Sequence, residues 1–210
     1  MTTVFDVADE LLRRAPNNKL QTIKLQKLVF YVFGWYGHVV GRPLFEQGFY
    51  SMKYGPVVTN LLDVHAQQRS LSLDDLRTQV ATSKIEDSHV AAVVDAVWAT
   101  YGKYDAWDLV EMTHQEDPWS TSWASAELRN AKRGDMSSDE LVAFFEEKRT
   151  SSYMLRGKLV SVPVLSMLPD AFGRAVTTAE FAEMENCDQV VPANLFTDLP
   201  SDYQRLLMSI

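Results

Sequence analysis

Two Glu-x-x-His pairs, Glu86/His89 and Glu111/His114, are the residues of this chain best spaced for chemistry. A three-residue spacing puts carboxylate and imidazole on one helix face. Two such pairs are half of a di-iron carboxylate set, which also takes a Glu from each of two further helices. Glu10 is one candidate for that role, and no convincing second exists. Residues 86–89 also straddle a predicted helix start, where Asp87 and Ser88 read as caps. His114 has a plainer use at the end of a helix, where its ring bonds the last carbonyls and complements the dipole. A metal-dependent enzyme using Glu111 and His114 is therefore carried only as an alternative, with no cofactor and no metal assigned.

Other catalytic patterns are missing from the sequence. It has no Gly-x-Ser-x-Gly elbow, no phosphate-cradling glycine loop and no His-Glu-x-x-His. Cys187 is the single cysteine, so no internal disulfide forms and a structural zinc site is disfavoured. Its neighbours Glu185 and Asp188 favour the thiol over the reactive thiolate. No catalytic residue is assigned.

The candidate binding residues lie in three places. Lys24, Lys27 and Tyr31 follow one ridge of a predicted helix, away from the core face of Leu25, Leu28 and Val32. Lys53 and Tyr54 precede Gly55-Pro56, a turn in which Gly permits an unusual dihedral and Pro fixes the entry to the next helix. His114, Glu116, Asp117 and Trp123 form the third group, around Pro118-Trp119, with Trp119 expected to plug the core. Five Trp and eight Tyr are a generous supply of interface anchors. Tyr36, Tyr50, Tyr54, Tyr104 and Trp123 are the ones expected at the surface.

The elements that must position these residues read as mainly helical. Val4, Phe5, Ala8, Leu11 and Leu12 define an amphipathic helix over 3–15. Thr22 is the expected cap of a central helix over 22–39 that is apolar on most sides. Residues 41–56 read as extended or hairpin-like, a small β element near 44–54, with Pro56 opening a helix to about Ala66. Helices are expected over 71–78, from Asp87 or Ser88 through Tyr101, from Asp105 through Glu111, and from the Ser137/Glu140 capping box to Lys148. The expectation is a compact helical domain over 1–148 and a C-terminal α/β extension over 149–210. In that extension Leu159 to Leu165 reads as an edge strand or extended segment, with helices over 178–186 and 202–208.

Charge narrows the partners. The net charge is −8, and residues 1–147 hold 14 Lys/Arg against 21 Asp/Glu. Such a surface argues against nucleic acid as partner and suits a basic protein. The longest apolar run, Leu28 to Val40, is interrupted by Gly34, Gly37 and His38, too short for a membrane span. With no signal peptide visible, the expected home is cytoplasmic.

Two blocks in this order carry a resemblance. The first is Thr22-Ile23-Lys24-Leu25-Gln26-Lys27-Leu28-Val29-Phe30-Tyr31, then Gly34-Trp35, Pro43-Leu44-Phe45 and Lys53-Tyr54-Gly55-Pro56-Val57-Val58. The second is Met112-Thr113-His114-Gln115-Glu116-Asp117-Pro118-Trp119. Over about the first 147 residues the chain resembles the Panacea domain, the SocA/GepA-like family of prophage and toxin–antitoxin proteins. The resemblance implies a type II antitoxin that neutralises a cognate, translation-targeting protein toxin by direct binding. It also implies that the toxin is encoded by a neighbouring gene. The acidic surface adds that this toxin is basic. A proteolytic adaptor that delivers a toxin to a protease and a regulator of its own promoter are the other readings. A homodimer stays open.

Overall fold

The computed structural model describes residues 2–148, 151–167 and 175–177. In chain order the elements are α1 (Val4–Arg14), β1 (Lys19–Gln21), α2 (Thr22–Val40), β2 (Phe49–Met52), β3 (Gly55–Val58) and α3 (Thr59–Val64). They continue with β4 (Ser70–Ser72), α4 (Leu73–Gln79), α5 (Ser88–Tyr101), α6 (Ala106–His114), α7 (Asp117–Leu128), β5 (Gly134–Met136) and α8 (Ser138–Glu147). Four short strands complete the order, β6 (Ser152–Leu155), β7 (Lys158–Ser161), β8 (Leu165–Met167) and β9 (Ala175–Thr177). The fold is mainly α with small antiparallel sheets, as its sequence suggests.

Local chemistry accounts for the helix limits. Thr3 and Asp6 form a reciprocal capping box at the start of α1. Asp87 and Asp105 cap α5 and α6. Ser137 accepts from the Glu140 N–H at 3.3 Å at the start of α8. The start of α2 differs from expectation: Gln21 is the cap residue, and Thr22 is the first helical one. The Thr22 hydroxyl instead donates to the Gln68 carbonyl at 3.1 Å, tying the helix to a neighbouring loop.

α2 is the axle. Fourteen of its residues are buried, from Thr22 to Gly37, and α1, α5, α6 and α8 pack around it. An all-round apolar helix belongs at the centre of a domain. α8 comes close because Gly34 and Gly37 face it: a Cβ on Gly34 would lie 2.3 Å from the Phe145 ring, and one on Gly37 2.9 Å from Val142.

Three corrections concern the smaller elements. Pro56 lies in β3, opposite Ser51, and the helix expected to begin there starts at Thr59. β3 is an edge strand of the β3-β2-β5 sheet, where the missing N–H of Pro is tolerated. Asp117-Pro118-Trp119 opens α7, a helix not among those expected from the sequence, with Pro118 in the first turn. α7 has no apolar stripe to reveal it, since only Trp119 and Ala126 are buried. The edge strand or extended segment expected over Leu159 to Leu165 is divided between two hairpins, with β7 pairing with β6 and β8 with β9.

Tyr153, Leu155, Val162, Val164 and Leu165 are buried in the same core as α2. The segment after residue 150 thus docks on the helical body through residues 151–165. The helices expected over 178–186 and 202–208, and Cys187, lie outside the described residues.

Candidate functional site

Both sequence blocks converge beside the first half of α2. Lys27, 1% exposed, donates from Nζ to the Pro56 carbonyl at 2.8 Å. Burial alone lowers its pKa to about 7. Gly55, at φ +96°, presses against this lysine; a Cβ there would lie 2.6 Å from Lys27 Cε and 2.7 Å from Thr113 Oγ1. Only glycine combines that dihedral with that approach. Next to it, Gln26 Oε1 accepts from the Val58 N–H at 3.0 Å, and Nε2 donates to the Val58 carbonyl at 3.3 Å. The side-chain amide of Gln26 therefore continues β3 as a short strand would. Its Nε2 also lies 3.1 Å from His65 Nε2. An amide nitrogen donates, so His65 Nε2 accepts and the ring is neutral. Burial lowers the His65 pKa accordingly.

The ridge of Lys24, Lys27 and Tyr31 is thus not a surface patch. Lys24, half-buried, donates to the carbonyls of Gly102 (2.6 Å) and Tyr104 (2.7 Å), just past the end of α5. Tyr31 is fully buried and stacks on Tyr101 with centroids 4.0 Å apart. In a helix packed on all sides, polar residues off the main apolar face still point at neighbours.

The second block is also partly internal. His114 stacks on Trp119 at 3.8 Å, and Trp119 is followed by Trp123 at 6.2 Å. Trp119 Nε1 donates to the Met52 carbonyl at 3.0 Å, joining α7 to β2. Burial and the Lys27 charge lower the His114 pKa, while Glu111 and the Lys53 backbone oppose the shift. Glu116 is 1% exposed. It accepts from Lys148 Nζ and from the Tyr153 hydroxyl, both at 2.6 Å. Ser151 Oγ in turn donates to the Tyr153 hydroxyl at 2.8 Å. Burial, and then the Glu116 charge, push Tyr31 well above its ordinary pKa. Glu116 is therefore an internal anchor, and of His114, Glu116, Asp117 and Trp123 only Asp117 is exposed, with His114 and Trp123 partly so.

Two aromatic side chains beside the turn are exposed. Tyr54 is 47% exposed and Trp107 56%, and their rings meet edge to face at 5.6 Å. Lys53 Nζ sits 5.5 Å over Tyr54. Sequence reasoning missed Trp107, although the signal was present. It comes just after the Asp105 cap and lies off the buried stripe of Ala106, Leu109, Val110, Met112 and Thr113. Of the other aromatics expected outside, Tyr36 is buried, and Tyr50 and Tyr104 are partly covered. Arg133 stacks over the Tyr50 ring at 4.3 Å.

Two hollows adjoin these residues. One, of about 360 Å³, has Tyr54 in its wall with Gln26, Lys27, Lys53, His65 and Lys132, and no carboxylate of the described residues lines it. The other, of about 430 Å³ between α7, β5 and α8, carries Asp117, Asp135 and Glu140, with Met136, Leu141 and Phe144 as its apolar part. The Glu-x-x-His pairs stay apart from both. Glu111 Oε2 accepts from the Arg156 backbone N–H at 3.3 Å, and Asp87 caps α5 beside His89. Among the described residues no three His, Cys, Asp or Glu side chains stand together in a way that could hold a metal ion.

Residues 25–120 match the family described as antitoxin SocA-like, Panacea domain. That span starts at Leu25, beside Gln26 and Lys27, and runs past the Gly55 turn and Thr113-His114 to Trp119, so it takes in the cluster just described. No curated protein and no solved structure matches the chain. No helix among the described residues is long and apolar enough to cross a membrane.

Proposed function

We propose that this protein is a type II antitoxin that neutralises a cognate protein toxin by direct protein–protein binding. The observation that carries this reading is the exposed Tyr54–Trp107 pair, on the surface of the antitoxin-like span and next to its most specific turn. Exposed Trp and Tyr on a rigid frame are the usual anchors of a protein interface. The frame is rigid here because Lys27, Gln26 and Gly55 hold the turn from beneath. The acidic hollow of Asp117, Asp135 and Glu140 supports a basic partner, since complementary fields speed encounter and fix register.

Co-expression with the neighbouring open reading frame, followed by pull-down, tests the reading. The neighbour is expected to arrest growth alone, to be harmless with this protein, and to co-purify at fixed stoichiometry. Tyr54→Ala and Trp107→Ala should each weaken the complex about 30-fold or more, the effect of losing an anchor worth ~2 kcal/mol. Both residues are surface-exposed, so the melting temperature should stay within a degree or two. A harmless neighbour, or persistent toxicity without a complex, overturns the proposal. A fall in toxin abundance that requires a protease would instead identify an adaptor.

A further inference from the structure

The hollow beside Tyr54 has a charge opposite to that of the molecule. The chain holds 28 acidic and 20 basic residues, yet among the described residues three lysines and no carboxylate line this space. Its floor is built from the interior: Gln26, Lys27 and His65 are 2%, 1% and 4% exposed. Two of these are committed elsewhere, Gln26 to Val58 and His65, as a neutral ring, to Gln26. Among the described residues Lys27 donates one hydrogen bond, to Pro56, where an ammonium has three to give. Lys53 and Lys132 stand exposed at the rim. Ile23, Val57 and Leu62 supply apolar wall. A small hydrated anion gains little from such a wall, whereas an anion carried on an apolar chain fits both features.

We infer that this hollow seats a segment of the partner polypeptide in which an Asp or Glu carboxylate is flanked by apolar side chains. The carboxylate meets the lysines at the rim, and an apolar neighbour fills the space over Val57 and Leu62. Tyr54 joins this seat to the Trp107 anchor, so the segment would be bound at the edge of the interface proposed above, on which the inference rests. A mostly basic partner would thereby dock in one register, because its acidic segment has one place to go.

The test uses the full chain and the peptide N-acetyl-Leu-Glu-Phe-amide as probe, tracked through amide chemical shifts in an NMR titration. Saturable shifts should centre on Lys53, Tyr54, His65 and Lys132. The matched peptide with Gln for Glu should bind about tenfold more weakly. The exposed-site variant Lys53→Glu/Lys132→Glu, which leaves the buried floor intact, should lose the Glu peptide and prefer one with Lys in its place. Equal binding of Glu and Gln peptides, no saturable shifts at these residues, or competition by inorganic phosphate at equal concentration would overturn the inference. The titration contains no toxin. Its failure therefore condemns the peptide seat alone, whereas failure of co-purification condemns the antitoxin reading.

Discussion

Lys27 shows what a single residue contributes when a motif is internal. Its ammonium lies under the β2–β3 turn, and burial holds its pKa to about 7, against an ordinary lysine value near 10.5. The folded state thus binds the proton less well than the unfolded chain does. Between these two values the unfolded state carries more protons, so stability must rise with pH across that window. Below about pH 7 the full penalty for the buried charge is present, and it is relieved as pH climbs towards the lysine range. Lys24, also lowered by burial, adds a rise of the same sign that a change at Lys27 leaves in place. His65 and His114 are lowered and titrate below the window, and Tyr31, Tyr101 and Tyr153 are raised and titrate above it. The unfolding free energy from denaturant titrations between roughly pH 7.5 and 9 should therefore rise by up to ~1.4 kcal/mol per pH unit, one proton's worth. In Lys27→Met this slope should flatten, whatever the absolute stability of the variant. An unchanged slope would show that Lys27 is not the buried titrating group. At this scale the sequence is legible only in part. It marks Lys24, Lys27, Tyr31, Tyr54 and Glu116 as special, but residue type and spacing do not say whether a polar side chain points at water or at a buried carbonyl. Lys27 and Glu116 are inside because their partners, Pro56 and Tyr153, come from 29 and 37 residues away.

Among the elements, the helices α1, α2, α5, α6 and α8 can be read from periodicity and caps, because their apolar stripes and capping residues are local properties. α7 and the strands β1, β4 and β5 cannot. α7 buries too little to show a stripe, and three-residue strands gain their stability from pairing partners far along the chain. The packing of α8 on α2 depends on another feature with no local signature, the absence of side chains at Gly34 and Gly37. A helix interior ordinarily gains about 1 kcal/mol from Gly→Ala. At Gly34 the new methyl would meet the Phe145 ring at 2.3–2.5 Å. That ring cannot yield, because Phe30, Tyr31, Trp35 and Phe144 surround it. Overpacking of this kind costs ~1–3 kcal/mol, and a backbone shift of α8 adds to it. Gly34→Ala is therefore expected to lower the melting temperature despite its better helix propensity. A stabilised variant would mean that α8 lies farther from α2.

For the whole molecule, the question is whether the segment after residue 150 is an appendage or part of one cooperative body. A change of texture near residue 150 suggests a separate extension. The contacts of residues 151–165 point instead to shared stability. Tyr153 is 2% exposed and lies in the same core as α2. Its hydroxyl binds Glu116, at the junction of α6 and α7, while Lys148, at the end of α8, holds the other oxygen of that carboxylate. One side chain of the β6–β7 hairpin thus helps to hold the ends of three helices together. Tyr153→Ala should remove its aromatic packing at a cost of ~3–5 kcal/mol. It also leaves a buried carboxylate with one partner fewer, which adds to the loss. If the body is cooperative, helical circular dichroism and tryptophan fluorescence should report one unfolding transition, shifted together to lower denaturant. The tryptophans sit in α2, α5, α6 and α7, well before residue 153 in sequence, so their shift would report the helical body itself. An independent hairpin would give another result, with the helical transition unmoved by Tyr153→Ala and only a minor, earlier step lost. The first outcome would make the hairpin part of the frame that holds the Tyr54–Trp107 face, and partner affinity should then fall in Tyr153→Ala in step with stability.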